Sequence, residues 1–266
     1  MDDLILLKLG GSLITDKLQP FTPRRDVLAR LGAEIRAARA EHPEMQLVIG
    51  HGSGSFGHTP ARQHGTRQGV RTPAQWLGFA EVWKEARALN QIVVEALLDA
   101  GLPVIALPPS ASVTAEDGRV LEWNLAPLHS ALEHGLLPLI NGDVIFDTQR
   151  GGTILSTEDL FLHLARMLRP RRILLAGLED GVWADFPQCT RLIERITPAN
   201  FEGLLPALGQ SAGTDVTGGM AAKARSMIEL LADIPELQAV IFSGLRPGLV
   251  QRALGGELPG TVITRL

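Results

Sequence analysis

The feature that most constrains the fold is a regular alternation of short apolar runs with longer amphipathic stretches. Seven runs rich in Val, Ile and Leu are the candidate strands, at residues 4–9, 46–49, 103–107, 137–140, 173–176, 239–242 and 261–264. The stretches with helical periodicity lie between them, at residues 26–40, 74–100, 157–168 and 220–232. Continuously apolar strands are typical of a parallel sheet that helices cover on both faces. We therefore predict an α/β fold, a three-layer αβα sandwich around a mainly parallel sheet.

The chain has 266 residues, enough to bury a sizeable core. We predict a single domain over residues 1–266, built from an N-terminal lobe, residues 1–168, and a C-terminal lobe, residues 169–266. The polar segment 62–71 is expected to be a surface loop or flap. Residues 187–217 are expected to be rich in loops, with helical fragments.

Composition and charge exclude several classes of function. A net charge of −4 gives no reason to expect nucleic acid or an anionic membrane as a partner. The single cysteine, Cys189, excludes an intrachain disulfide and a cysteine-based metal cluster. The first residues lack the features of a signal peptide, and no apolar run approaches the roughly 18 residues that span a bilayer. A cytoplasmic location is therefore expected.

The segment from His51 to His58, with the sequence HGSGSFGH, directly follows a predicted strand. Its glycines let backbone N–H groups approach an anion closely, which suits a phosphate. The glycines also fit the G-x-G-x-x-G pattern of dinucleotide-binding proteins. That pattern needs an acidic residue at the end of the next strand, but Glu81 and Glu85 lie within a predicted helix. We therefore reject a dehydrogenase, and the absence of G-x-x-x-x-G-K-[ST] leaves a P-loop ATPase without support.

Three further glycine-containing turns follow predicted strands. Their sequences are KLGGS at residues 8–12, NGDV at residues 141–144 and DVTGGM at residues 215–220. Lys17 follows the first turn closely, and Lys223 lies one helical turn after the last. Each turn alone is a weak signal. Together, however, these turns and Lys8, Lys17 and Lys223 predict a site for several phosphoryl groups at the carboxyl edge of the sheet. Phosphoryl transfer needs chiefly such positioning and positive charge.

These segments, in this order, resemble the amino acid kinase superfamily. Residues 8–12 look like its K-x-G-G-S motif, and residues 215–220 with Lys223 look like its nucleotide-site motif. Within the superfamily, HGSGSFGH and the ITDK sequence at residues 14–17 resemble the isopentenyl phosphate kinase family. The resemblance covers residues 4–264.

The resemblance implies a role for each matching residue. Lys8, Lys17 and His58 would be catalytic, with Lys17 stabilising the γ-phosphoryl group in transit and His58 donating to the acceptor phosphate. The ATP-binding residues would be Lys8, Gly10, Gly11, Ser12, Ser53, Gly219 and Lys223. The acceptor would be surrounded by Gly52, Gly54, His58 and Gly142. No residue of the chain is expected to be a dedicated metal ligand. The N-terminal lobe would bind the phosphorylated acceptor and the C-terminal lobe ATP.

The sequence departs from the family pattern at a few positions. Ser53 replaces a glycine, Leu178 stands where an aspartate is usual, and Trp183 stands where tyrosine is usual. We expect these changes to affect the handling of adenosine and Mg²⁺ rather than the class of reaction. Side chains at helical spacing on the predicted helix 74–100 are candidates to line an apolar slot for a prenyl tail: Phe79, Val82, Trp83 and Ala86.

The activity that the resemblance implies is ATP-dependent phosphorylation of isopentenyl phosphate to isopentenyl diphosphate. Mg²⁺ would arrive with ATP, and a homodimer is expected from family likeness. Two alternatives stay open. One is a kinase of the same fold that acts on another phosphate or phosphonate, such as fosfomycin. The other is a nucleotide-binding sensor without catalytic activity.

Overall fold

The computed structural model describes residues 3–209 and 219–266. Its strands are β1 Leu4–Leu9, β2 Gln46–His51, β3 Val104–Ala106, β4 Val113–Glu116, β5 Arg119–Trp123, β6 Leu137–Asn141, β7 Asp143–Asp147, β8 Gly151–Leu155, β9 Arg172–Gly177, β10 Val182–Trp183, β11 Leu192–Ile193, β12 Arg195–Ile196, β13 Gln238–Ser243 and β14 Thr261–Ile263. Its helices are α1 Gly11–Ile14, α2 Arg25–Glu41, α3 Gly54–His64, α4 Pro73–Asp99, α5 Ala126–Glu133, α6 Thr157–Leu168, α7 Phe201–Gly209, α8 Gly219–Asp233 and α9 Leu249–Leu254.

An eight-stranded sheet forms the centre of the molecule, in the order β12-β14-β13-β9-β1-β2-β6-β3. The inner neighbours β13, β9, β1, β2 and β6 are all parallel, and so is the pair β6 and β3. Among the strands that the structure describes, β13 and β14 form the one antiparallel pair of this sheet, since β12 and β14 are parallel. The predicted three-layer α/β architecture is confirmed, and each of the seven predicted strands is found within a residue or two of its predicted bounds.

The core lies on both faces of this sheet, because neighbouring side chains of a strand point to opposite faces. In β1, Leu4 and Leu6 join one apolar cluster, which also contains Leu160 and Leu164 of α6. Ile5 and Leu7 join the other cluster, which contains the buried face of α2. Lys8 continues the series of Leu4 and Leu6, so the fold directs it to the same face as α6.

A second, four-stranded sheet, in the order β5-β4-β7-β8, was not predicted. Its strands have four or five residues each, and charged or glycine residues interrupt their apolar character. The helices α1, α3, α5 and α9 were also missed, whereas α7 lies in the stretch that was predicted to contain helical fragments. Segment 62–71 is not a loop throughout, since its first residues end α3 and Thr66–Gln68 form a 3-10 turn. Residues 187–209 contain β11, β12 and α7, and the remainder of the predicted loop-rich stretch lies outside the described residues.

Within residues 3–209 and 219–266, no helix has the length and apolar character needed to cross a membrane.

Candidate active site

The carboxyl ends of β1, β2, β6, β9 and β13 open into one cleft of about 510 Å³. This edge is where parallel sheets commonly bind their ligands. The cleft brings together most of the residues predicted to be functional: Lys8, Gly10, Gly11, Ser12, Lys17, Gly52, Ser53, Gly54, Gly142, Gly219 and Lys223. The three lysines and the glycine turns, which are far apart in sequence, therefore share one site.

The turns after β1 and β2 contact each other backbone to backbone. A Cβ atom on Gly11 would lie 2.4 Å from the nitrogen of Gly54, and one on Gly52 would lie 2.8 Å from the nitrogen of Gly11. Gly54 also has a φ of +49°, which favours glycine. The hydroxyl of Thr15 joins the two turns, since it donates to Gly11 O at 2.7 Å and accepts from Ser55 N at 3.0 Å. Glycine is thus required here to bring two backbone segments within contact distance.

The contact leaves several backbone N–H groups available to an anion. In the part of the chain that the structure describes, Gly11, Ser12, Ser53 and Gly54 donate no backbone hydrogen bond. Gly11 and Ser12 begin α1, Ser53 is the N-cap residue of α3, and Gly54 is its first residue. Free N–H groups and the helix dipole at such helix starts favour negative charge.

The fold itself uses the N–H groups of three other glycines in the cleft. Gly10 donates to Ala176 O at 2.8 Å, Gly52 to Leu9 O at 3.1 Å and Gly142 to His51 O at 3.2 Å. These three glycines can therefore provide space for a ligand, but not a free amide donor.

Glu158, at the start of α6, is a cleft residue that the sequence interpretation missed. Its carboxylate forms an ion pair with the ammonium group of Lys8, which is only 9% exposed. Burial raises the pKa of the Glu158 carboxyl, but the charges of Lys8 and Lys223 outweigh that effect and lower the pKa overall. Glu158 therefore stays ionised and holds Lys8 at the carboxyl edge of the sheet. An acidic residue in an amphipathic helix gives no sequence signal for this role.

Two of the departures from the family pattern, Leu178 and Trp183, lie at one end of the cleft, whereas Ser53 lies at the turn after β2. Phe186, Gly181 and Val182 line the same end as Leu178 and Trp183. The indole N–H of Trp183 donates to the Glu179 carboxylate at 3.0 Å, which fixes the ring on the cleft wall. This end therefore offers a flat aromatic surface together with apolar side chains.

Two of the four candidate residues for a tail slot line the cleft, and the other two lie elsewhere. Val82 and Ala86 of α4 line the cleft together with Ala61 and Ile154. Phe79 is buried elsewhere, with its ring 5.2 Å from that of Trp76 and 5.4 Å from that of Phe146. Trp83 is 37% exposed and stacks under the Arg87 guanidinium at 5.4 Å. Phe79 and Trp83 are thus not among the residues that line the cleft.

Two predicted elements lie outside the described residues. The His58 side chain is not described, although its backbone belongs to α3. Residues 215–218 of the second Gly-Gly turn are likewise outside, whereas Gly219 and Met220 begin α8 at the cleft.

Asp143 is a buried carboxyl group at the cleft. Burial raises its pKa, and hydrogen bonds from Ser110 and Val144 offset only part of the increase. Its oxygens accept from Ser110 N at 3.1 Å and from Val144 N at 2.9 Å. These bonds hold the side chain in place where β6 passes into β7.

The family model for the amino acid kinase family matches residues 3–243. The chain belongs to the amino acid kinase family. Within that family it is similar to isopentenyl phosphate kinase of Methanothermobacter thermautotrophicus, with 35% identity over 98% of this chain and 99% of that protein. It is 36% identical to isopentenyl phosphate kinase of Haloferax volcanii, over 98% of both chains.

A solved X-ray structure of an isopentenyl phosphate kinase has the same fold. It superimposes with a TM-score of 0.82 at 30% identity, over 98% of this chain and all of that one. The resemblance inferred from the glycine turns and the lysines is confirmed by these relatives.

Proposed function

We propose that the protein is an ATP-dependent kinase that converts isopentenyl phosphate into isopentenyl diphosphate. The observation that carries the proposal is the contact between the turns after β1 and β2. That contact places two pairs of free N–H groups side by side in a cleft that three lysines also line. Two phosphate groups bound at adjacent turns would be close enough to react.

The nucleotide would occupy the end of the cleft formed by β1, β9 and α8. Lys8, Gly10, Gly11 and Ser12 would hold the β- and γ-phosphates, Gly10 by its lack of a side chain and the next two residues by their free N–H groups. Gly219 and Lys223 would bind ATP from the C-terminal lobe. Ser53 would contact the γ-phosphate from the neighbouring turn.

The acceptor phosphate would lie at the turn after β2. Gly52 and Gly142 would make room for it, Gly54 would donate its N–H group, and His58 would donate from α3. An imidazole beside a phosphate dianion has its protonated form favoured, which suits a donor.

In the reaction, an oxygen of the acceptor phosphate would attack the γ-phosphorus of ATP as the bond to the β–γ bridging oxygen breaks. ADP would leave with that bridging oxygen. The attacking oxygen is already ionised near neutral pH, so the step needs no general base. Lys17 would neutralise charge on the phosphoryl group as it moves, which is the main contribution a protein makes to such a step.

A Mg²⁺ ion carried by ATP would neutralise part of the charge on the β- and γ-phosphates. The described residues fit a cation held mainly by phosphate oxygens. Among them, no group of three His, Cys, Asp or Glu side chains could enclose a metal ion. Of the cleft carboxylates, Glu158 is paired with Lys8, Asp143 accepts two backbone hydrogen bonds, and Glu179 accepts from the indole of Trp183.

The prenyl tail would enter the apolar end of the cleft, between Ala61, Val82, Ala86 and Ile154. The small side chains Ala61 and Ala86 leave space there, and burial of a branched five-carbon tail would contribute affinity through the hydrophobic effect. We also propose that the enzyme works in the cytoplasm and that it is a homodimer. Light scattering of the purified protein would test the dimer.

A coupled assay of ADP release tests the proposed activity. With ATP and Mg²⁺ present, isopentenyl phosphate should support turnover, and the product should be the diphosphate by mass spectrometry. Fosfomycin, offered at the same concentration, should not. Turnover of fosfomycin alone would show a kinase for another acceptor. ATP binding without turnover of any alkyl or prenyl monophosphate would show a nucleotide sensor.

A further inference from the structure

His51, the last residue of β2, is fully buried and has no role in the reaction described above. Its Nδ1 atom lies 3.1 Å from Gly52 O, and its Nε2 atom lies 3.1 Å from Nδ2 of Asn90. The same Asn90 nitrogen donates to Oδ1 of Asn141 at 3.0 Å. Asn141 in turn donates from its Nδ2 atom to Gly142 O at 3.0 Å. Three side chains from β2, α4 and β6 thus connect the carbonyl groups of two cleft glycines.

The network has only one consistent arrangement of hydrogen atoms. Asn141 donates to a carbonyl through its nitrogen, so its oxygen faces Asn90 and needs a donor there. The NH₂ group of Asn90 supplies that donor and a second one to His51. Nε2 of His51 must therefore accept, which places the proton on Nδ1, where it is donated to Gly52 O.

The surroundings of His51 keep the ring neutral. Burial lowers its pKa to about 4, the hydrogen bond to Gly52 opposes the shift, and the positive charge of Lys8 adds to it. A neutral ring has one donor and one acceptor, as this network requires.

The carbonyl that His51 holds belongs to the same peptide unit as the N–H group of Ser53. A trans peptide is planar, and its C=O and N–H groups point in opposite directions. With Gly52 O held against the buried His51 ring, the Ser53 N–H group is turned away from the interior. Ser53 lines the cleft, and in the described ranges its N–H group has no hydrogen-bond partner.

We propose that Asn90 and His51 are positioning residues that aim the Ser53 N–H group at the phosphoryl group in transit. The inference rests on the proposed kinase function. Asn90 fixes the tautomer of His51, His51 fixes the Gly52–Ser53 peptide, and that peptide supplies a rigid donor to the transferred group. A donor that acts on the moving phosphoryl group contributes to kcat more than to ground-state binding.

The first test is Asn90→Leu, which keeps the size of the side chain and removes both donors. We expect kcat to fall by about tenfold or more, with KM for ATP and for isopentenyl phosphate each within about twofold of the wild-type value. Gln91→Leu is the matched control, since it removes an exposed amide at the next position of α4. A rise of both KM values at unchanged kcat, or no effect, would overturn the proposal.

The second test compares two replacements of His51. The amide nitrogen of asparagine can take the place of Nδ1, so His51→Asn should retain most of kcat, whereas His51→Leu should lose as much as Asn90→Leu. Equal losses in the two variants, at equal thermal stability, would show that the ring only fills space.

A third measurement does not depend on activity. The nitrogen chemical shifts of His51 in the wild-type protein should show a neutral ring with the proton on Nδ1. A proton on Nε2 would contradict the network even if every variant failed to fold. If the wild-type protein does not phosphorylate isopentenyl phosphate, the proposed function fails, and the tautomer still decides whether the network exists.

Discussion

Burial separates the lysines of the cleft into different roles. Lys8 is 9% exposed and paired with the partly buried Glu158, so it is a fixed charge on the sheet. Lys17 is exposed and lies beyond α1, on a segment of irregular structure. A fixed cation can hold a phosphate that stays on ATP, whereas a lysine on a flexible four-carbon stem can follow a phosphoryl group that moves.

Lys17→Ala should therefore lower kcat by about 10²–10³ and leave the KM for ATP within about threefold. Steady-state kinetics with both substrates varied would measure this. Lys84→Ala is the control, because Lys84 is an exposed lysine of α4 whose side chain is 77% exposed. If Lys17→Ala left every rate unchanged, the catalytic assignment of Lys17 would be wrong.

His58→Asn should weaken use of the acceptor and spare that of ATP. We expect kcat/KM for isopentenyl phosphate to fall, with a loss of transition-state stabilisation of roughly 2–4 kcal/mol, because a donor to the acceptor phosphate is lost. His64→Ala is the matched control from the end of the same helix, where His64 lies 2.8 Å from Glu81. A loss confined to ATP affinity would refute the role of His58.

The sequence identified residues with a local signature and missed those that act through distant partners. Lysines beside glycine turns could be recognised because both features lie within ten residues of each other. Glu158 and Asn90 could not, since Glu158 is 150 residues from Lys8 and Asn90 is 39 residues from His51. Nothing in their own neighbourhoods indicates that they face the site.

At the level of elements, the strands of the main sheet could be predicted because both of their faces are buried. The residues of β1 are all Leu or Ile except Lys8, a composition typical of a strand that is buried on both faces. In β4, by contrast, Val113 and Ala115 are buried while Thr114 and Glu116 are exposed. Only four residues alternate there, which is too short a pattern to distinguish from a loop.

The second sheet nevertheless contains a well-defined anchor, Asp147, at the end of β7. Its carboxylate accepts from Gly118 N at 2.7 Å, Arg150 N at 2.8 Å, Gln149 N at 2.9 Å and Asp117 N at 3.2 Å. Burial raises the pKa of Asp147, but these four backbone donors together lower it below its usual value. The ionised carboxylate thus holds the β4–β5 turn against the β7–β8 turn.

Asp147→Asn should therefore destabilise the protein at neutral pH by about 1–3 kcal/mol, as charge-assisted hydrogen bonds are lost. Because the folded-state pKa is the lower one, this stabilisation is fully present above the unfolded value of about 3.9 and is lost as the pH falls through the folded value. Urea unfolding of both proteins at several pH values would measure it. Asp233→Asn, which removes an exposed partner of Arg166, should have little effect at any pH. If the difference in unfolding free energy between the wild-type protein and Asp147→Asn grew towards acid pH, the role of the ionised Asp147 carboxylate would be wrong.

For the whole molecule, the two predicted lobes share the main sheet and the apolar clusters on both of its faces. β1 pairs with β2 on one side and with β9, from the C-terminal half, on the other. One apolar cluster contains Leu6 and Leu230, and the other contains Leu7 and Val240, so each cluster includes both halves of the chain. Lobes with a common core should unfold together, even if each contributes a different substrate site.

Thermal unfolding should accordingly show one transition, and ATP with Mg²⁺ should shift that whole transition to a higher midpoint temperature. At about 100 times its Kd, the nucleotide would stabilise the folded state by about 2.7 kcal/mol, or a shift of roughly 5–10 °C. At the same nucleotide concentration, Lys223→Ala should reduce the shift and Lys84→Ala should not, because Lys223 lines the cleft and Lys84 is not among its lining residues. Differential scanning calorimetry would measure both quantities. Two separate transitions, with only one responding to ATP, would show that the lobes are independent and that the nucleotide does not bridge them.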